Sequence, residues 1–200
     1  TPAGAYAYSV DYTFVAGEAH VLPPFYLTPD PPLAQFIPIN NATAPQVITD
    51  ERYPGYSMTL PAGVSIIGWD GLVKTGITIE EVALDRLGVP MPPRTGGGVY
   101  QAFWTNANGV SAMGGSVSPP GAILPFSLPN DLNLAPGDKA EMWIYDASPV
   151  DLGAPSGWKL AGLGTVRADG LAIVADPGVG FSRFCKHCSL VQCSCLGDGS

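Results

Sequence analysis

The chain has little charge and few histidines. Asp, Glu, Lys and Arg make up 13% of its 200 residues, and there are 2 histidines. The net charge of −8 would repel phosphate backbones, so nucleic-acid binding is not expected. Without a Gly-x-Ser-x-Gly motif and with so few histidines, serine-hydrolase and metal-hydrolase sites lack their parts. No apolar run approaches the length of a membrane span. The sequence therefore predicts neither an enzyme nor a membrane span in this chain.

A sustained helical period and an internal repeat are also missing. The chain instead carries 25 Gly and 21 Pro, spread between short apolar runs, which is typical of strands joined by tight turns. Hydrophobic residues reach 46%, enough for one good core in a chain of this length. No initiator Met or signal peptide is present, so Thr1 is interpreted as a processed or truncated start. These features predict an all-β fold.

The clearest strand pattern lies between residues 134 and 184. Pro136-Gly137 suits the central positions of a type II turn, and Asp169-Gly170 is a strong hairpin signal. Residues 139–146 alternate, with apolar side chains on both faces. This alternation predicts a central strand covered on both sides, in which Trp143 or Ile144, or both, are buried.

The pattern changes near both ends of the chain. Residues 6–14 place aromatic and apolar side chains on one parity, which predicts an N-terminal hairpin. Prolines crowd residues 23–32 and predict a stiff, extended linker. We therefore expect a hairpin and Pro-rich linker at 1–33 that ends a preceding β-domain. An antiparallel β-sandwich follows at 34–184, and a Cys-rich segment at 185–200 leads to a downstream region. Within the sandwich, the Gly-rich stretch 106–118 is interpreted as a loop.

All 4 cysteines lie in this last segment, as Cys185, Cys188, Cys193 and Cys195. Two disulfides would staple the segment in an exported protein, and a zinc ion held by four thiolates would do the same. The composition favours disulfides, and zinc stays the alternative cofactor. A haem site is excluded because Ser189 stands where the CxxCH motif needs His.

The order of the motifs resembles a known domain type. The segments are YSMTLPAGVSIIGWDG, ITIEEVALDRLGVPMPP, VYQAFW, PFSLPN, NLAPGDKAEMWIYD, GWKLAGLGTVRADG and LAIVADPGVGFSRF. Together they resemble the β-sandwich, similar to that of ankyrins and the netrin receptor Unc-five, found upstream of bacterial RHS (tyrosine-aspartate repeat, teneurin-like) shells. The ending SCLGDGS resembles the junction with the shell, and residues 1–30 resemble the end of a carboxypeptidase-regulatory-type domain. The resemblance implies a secreted or cell-surface bacterial protein whose partner is the downstream shell or another part of the same large protein.

Three weaker patterns have a functional and a plainer interpretation. Phe181-Ser182 matches a self-cleavage step of some such sandwiches, but Gly180 replaces the polar residue before it, so an ordinary last strand is expected. The acidic residues Asp50, Glu51, Asp146 and Asp151 lack the spacing of a calcium loop. Asn41-Ala42-Thr43 fits a glycosylation acceptor that would stay idle in a bacterial chain.

Two functions follow. The first is a non-enzymatic structural or interaction module that caps, plugs or displays the downstream shell. The alternative is an adhesive module that binds a surface glycan or protein through exposed aromatic side chains, for which the candidates are Trp69, Trp104, Trp143 and Trp158.

Overall fold

A computed structural model describes residues 17, 32–68, 70–84, 100–107, 115–146, 157–184 and 187–192. The predicted N-terminal hairpin and its assignment to a preceding domain lie outside these residues. The described part contains a 3₁₀ turn at Leu33–Gln35 and thirteen strands. The strands are β1 (Ile37–Pro38), β2 (Gln46–Ile48), β3 (Ser57–Leu60), β4 (Ser65–Gly68), β5 (Gly76–Glu81), β6 (Tyr100–Ala107), β7 (Gly115–Ser118), β8 (Phe126–Pro129), β9 (Lys139–Asp146), β10 (Gly157–Val166), β11 (Ala172–Ala175), β12 (Arg183–Phe184) and β13 (His187–Gln192).

The strands form two sheets, in which every described pairing is antiparallel. The larger sheet has ten strands in the order β1-β5-β6-β13-β9-β10-β11-β8-β3-β2, and the smaller has the order β12-β7-β4. The all-β fold class is therefore confirmed, and its sandwich arrangement stays a prediction. No helix in the described ranges is long and apolar enough to cross a membrane.

The ten-stranded sheet curls until its two edges meet. Five strands separate β6 from β3 in the sheet, yet the Tyr56 and Thr105 hydroxyl groups lie 2.6 Å apart across the core. At the edges, the side-chain amide of Gln46 in β2 donates to the Pro38 carbonyl of β1 at 2.8 Å. The Gln46 side-chain carbonyl accepts from the Asn40 backbone N–H at 2.5 Å. These bonds use backbone groups that an open sheet edge would leave unpaired.

One hydrophobic core fills the space inside the curl. Alternation along the strands sends every second side chain inward, as with Met58 and Leu60 of β3 and Ile77 and Ile79 of β5. The three-stranded sheet joins the same core through side chains such as Ile66 and Val117. The fold therefore buries both sheets against a single cluster.

Two predicted turns are confirmed. Gly137 has φ 90°, and the Asp138 N–H donates to the Ala135 carbonyl at 3.0 Å, which closes the Pro-Gly turn before β9. Gly170 has φ 73° in the hairpin between β10 and β11, and its N–H donates to the Arg167 carbonyl at 2.8 Å. Glycine adopts positive φ without the steric cost that a Cβ would impose.

The prediction for β9 is correct in position and wrong in depth. The strand lies between β13 and β10, inside the sheet. Trp143 and Ile144 are half-buried, whereas the fully buried side chains are Ala140 and Met142. Gly164 of β10 explains the shift, because a Cβ there would lie 2.7 Å from the Met142 sulfur. The space that this glycine leaves open admits Met142, so the core lies nearer the start of the strand.

Two segments differ from the sequence-based assignment. The stretch 106–118, interpreted as a loop, ends in β7, which pairs with β4 through four residue pairs. Residues 187–192, which the sequence placed after the sandwich, form β13 in the middle of the ten-stranded sheet, between β6 and β9. In both segments the partner strand is distant along the chain, so local patterns do not reveal the pairing.

Candidate functional sites: the cysteine segment and the aromatic face

The cysteine segment begins inside the sheet. Cys188 is the second residue of β13 and lies opposite Trp104 of β6. Cys185, Cys193 and Cys195 lie outside the described residues, as do the side chains of β13. Cross-linking by disulfides or zinc therefore stays a prediction. Backbone pairing with two neighbouring strands already orders residues 187–192 without any cross-link.

The strand restricts which disulfides can form. An extended strand places the Cα atoms of Cys188 and Gln192 about 13 Å apart. The residue after Gln192 is one Cα–Cα step of about 3.8 Å away, so it stays at least about 9 Å from Cys188. A disulfide needs Cα atoms within about 7 Å of each other. A bridge between Cys188 and Cys193 is therefore incompatible with β13.

The self-cleavage candidate occupies an ordinary structural position. The Phe181 side chain is buried and stacks on Phe126 with ring centroids 4.3 Å apart. Phe181 and Leu124 exchange backbone hydrogen bonds of 2.8 and 3.0 Å, while Ser182 is exposed. A Cβ at Gly180 would collide with the Leu124 carbonyl oxygen. A polar side chain before Phe181, as the self-cleaving motif has, would therefore not fit here.

The acidic candidates form no described metal cluster. The Asp50 carboxylate accepts hydrogen bonds from the Arg52 guanidinium, with a shortest distance of 2.7 Å. This hydrogen bond lowers the pKa of Asp50 below its usual value, despite partial burial. Across the described ranges, no group of three or more His, Cys, Asp or Glu side chains could hold a metal ion. Asp151 and the side chain of Asp146 lie outside the described residues.

The candidate glycosylation residue Asn41 stabilises a turn through side-chain hydrogen bonds. Its side chain is buried, and the amide nitrogen donates to the carbonyls of Pro61 and Val64, each at 2.7 Å. The Gly63 N–H returns a bond of 2.8 Å to the Asn41 carbonyl. A sugar attached to this nitrogen would break the contacts that hold the β3–β4 turn against the β1–β2 connection.

The second candidate site is a surface on β9 and β10 that we call the aromatic face. It lies on the side of these strands opposite the core, because its β9 members alternate with the buried Ala140 and Met142. Tyr145 pairs directly with Trp158, and their rings meet edge to face at 5.3 Å and 72°. Its members are Glu141, Trp143, Tyr145, Trp158, Leu160 and Leu163. Trp69 and the side chain of Trp104 lie outside the described residues.

A β-bulge makes the apolar part of this face continuous. The register of β10 against β9 shifts between Leu160 and Gly162. Residues three apart would otherwise point to opposite faces, but the extra residue lets Leu160 and Leu163 share one, where they are 50% and 42% exposed. A Cβ at Gly162 would collide with Val179, so the bulge depends on glycine. Strict alternation from Trp158 reaches Leu160 but would place Leu163 on the other side of β10.

Polar side chains within and beside the aromatic face are held by hydrogen bonds to neighbouring side chains. The Trp143 indole N–H donates to Glu141 at 3.1 Å. At the start of β9, the Asp176 carboxylate accepts hydrogen bonds from Lys139 at 2.7 Å and from Thr165 of β10 at 2.5 Å. The Lys139 bond, then the Thr165 bond, lower the pKa of Asp176, so its carboxylate is ionised at neutral pH. These pairs fix the end of the face near the β10–β11 hairpin.

No known family matches the chain, and no similar curated protein or solved structure is found.

Proposed function

We propose that the chain is a non-enzymatic structural or interaction module of a large secreted or cell-surface protein of the RHS type. In this proposal it caps, plugs or displays the downstream shell that the resemblance of its motifs implies. The confirmed all-β fold is compatible with that role, and the resemblance of the strand and turn motifs motivates it. The position of β13 in the sheet is the observation that best supports the proposal.

The strand β13, which lies within the cysteine segment, is held on both sides. It pairs with β6 through six residues and with β9 through four. A force applied to the residues after β13, or a restraint on their orientation, would therefore act on the centre of the sheet. Pulling out a central strand breaks two ladders at once, whereas an edge strand breaks one. This position suits an element that holds a neighbouring part in place.

Buried polar side chains also serve the scaffold. The Ser127 hydroxyl donates to the Gly55 carbonyl at 2.7 Å, and Tyr56 and Thr105 join opposite sides of the core. Such fully bonded polar pairs rigidify a core and specify one arrangement. A rigid platform is what a capping or displaying module requires.

The test is association between this chain and the region that follows it in the parent protein. We expect the two, produced as separate polypeptides, to co-elute in size-exclusion chromatography. Leu190→Pro removes a backbone N–H from central β13 and should abolish co-elution. Ala168→Pro is the matched control, since it places proline in the exposed β10–β11 turn, where association should persist. A parent sequence without RHS repeats, or folded partners that elute separately, would refute the proposal.

A further inference from the structure

The aromatic face is an ordered row of side-chain pairs. Tyr145 lies opposite Trp158, Trp143 opposite Leu160, and Glu141 opposite Leu163. Residues on the same face of a strand are two positions apart, so the three cross-strand pairs extend about 14 Å along β9. The row thus offers a long, shallow, mostly apolar track that includes one carboxylate.

The rings on this track are fixed before any ligand arrives. Trp143 is tied to Glu141 through its indole N–H, and Trp158 meets Tyr145 edge to face. All three rings project from strands inside the sheet and are half-buried, so each keeps part of its surface exposed. Preorganised side chains lose little conformational entropy on binding, which favours recognition by a shallow surface.

We propose that the aromatic face binds an extended neutral glycan. A pyranose ring presents an apolar C–H face that can stack on an aromatic ring, and hydroxyl groups at its rim. A row of aromatic rings and leucines matches the first feature. The Glu141 carboxylate, which already accepts from the Trp143 indole, matches the second, because carboxylate oxygens are acceptors and hydroxyl groups are donors.

Charge and desolvation favour this ligand over three others. Anionic glycans and acidic membranes are disfavoured by a carboxylate within the face and by the net charge of −8. An apolar protein surface would remove Glu141 from water without supplying donors, which is costly for a charged group. A glycan replaces the lost water with its own hydroxyl groups. This inference concerns side chains of β9 and β10 and does not depend on the proposed capping role.

The experiment titrates the chain with cellohexaose, chitohexaose and mannohexaose as neutral probes and with oligo-alginate as the anionic probe. Calorimetry and tryptophan fluorescence give the affinities. We expect at least one neutral probe to bind and oligo-alginate not to bind. Trp158→Ala should weaken binding about tenfold, which corresponds to about 1.4 kcal/mol. Glu141→Gln should weaken it less, because an amide oxygen still accepts hydrogen bonds.

Leu171→Ala is the matched control, since Leu171 is 61% exposed at the β10–β11 hairpin, outside the aromatic face, and its loss should leave affinity unchanged. If Trp158→Ala lowers the melting temperature into the assay range, Leu160→Asn replaces it, because that side chain is already half exposed. Failure of every neutral probe to bind would overturn the proposal. Binding that neither Trp158→Ala (or its replacement Leu160→Asn) nor Glu141→Gln weakens would overturn it as well. Tighter binding of oligo-alginate would overturn it too. Self-association that Trp158→Ala abolishes, without glycan binding, would assign the face to a second copy of the chain.

Discussion

The hydrogen bond between Tyr56 and Thr105 allows a direct test of the curled sheet. Tyr56 is 2% exposed and Thr105 is fully buried, and their hydroxyl oxygens lie 2.6 Å apart. Burial raises the pKa of Tyr56, so the phenol stays protonated and the bond persists at any ordinary pH. Tyr56→Phe removes one partner and leaves the Thr105 hydroxyl buried without the other.

The expected cost follows from that lost partner. Leaving a buried hydroxyl unsatisfied costs about 1–3 kcal/mol, more than the net gain from an average hydrogen bond. In a chain of this size each kcal/mol lowers the melting temperature by about 2–4 °C. Thr105→Val should cost a similar amount, because the phenol then lacks its partner and valine keeps the shape. The double variant removes both polar groups and should be more stable than the sum of the single effects predicts.

Urea denaturation of the wild type, both single variants and the double variant completes the cycle. We expect an interaction energy of about 0.5–3 kcal/mol. Because five strands separate β3 from β6 in the sheet, coupling of this size requires the start of β3 and the strand β6 to face each other across the core. Strictly additive effects would show that these hydroxyls do not meet and would contradict the curl.

Three further outcomes follow from the core, the surface charges and the last strands. Met142→Ala should destabilise the chain by about 2–5 kcal/mol, and Ile144→Ala by clearly less, when both are measured by urea denaturation; equal costs would contradict the assigned depth of β9. The hydrogen bond from Lys139 lowers the folded-state pKa of Asp176. The ionised carboxylate therefore contributes its full stabilisation of the folded state above the unfolded pKa of about 3.9. This stabilisation is lost as the pH falls through the lower folded-state pKa. Asp176→Asn should therefore cost up to about 1 kcal/mol at pH 7 and nothing below the folded pKa, a difference that unfolding at both pH values detects. Intact mass should show one species, and two fragments that disappear on Ser182→Ala would refute the structural role of that step.

The features that could be predicted from the sequence are those fixed by local chemistry. Pro136-Gly137 and Asp169-Gly170 form the expected turns because proline and glycine restrict or permit the backbone conformations required there. The alternation of β9 correctly separates its two faces, because successive side chains of a strand point to opposite faces. How deeply each residue is buried is not local, since it depends on Gly164 in the facing strand.

The missed elements depend on long-range pairing. β7 has one buried apolar side chain, Val117, among glycine and serine, so nothing in its composition predicts a strand. Its partner β4 lies about fifty residues earlier in the chain. At the aromatic face, the sequence indicated the tryptophans, but the Tyr145–Trp158 contact follows from the register of β9 and β10, and the position of Leu163 on this face follows from a bulge. Such a site becomes visible only when the pairing is known.

Peptide mapping of the cysteine segment tests β13 and the cross-links together. If the chain is exported, we expect no free thiols in denaturant without reductant; if zinc is bound, we expect four free thiols and released metal. With β13 extended, disulfides can join Cys188 to Cys185 or to Cys195, but not to Cys193.

Non-reducing digestion and mass spectrometry identify the bridged peptides. A bridge between Cys188 and Cys193 would place the ends of residues 188–193 close together, which an extended strand does not permit. Finding it would remove β13 from the sheet and with it the main support for the proposed capping role. Four free thiols without metal in the native protein would instead leave backbone pairing with β6 and β9 as the source of order in residues 187–192.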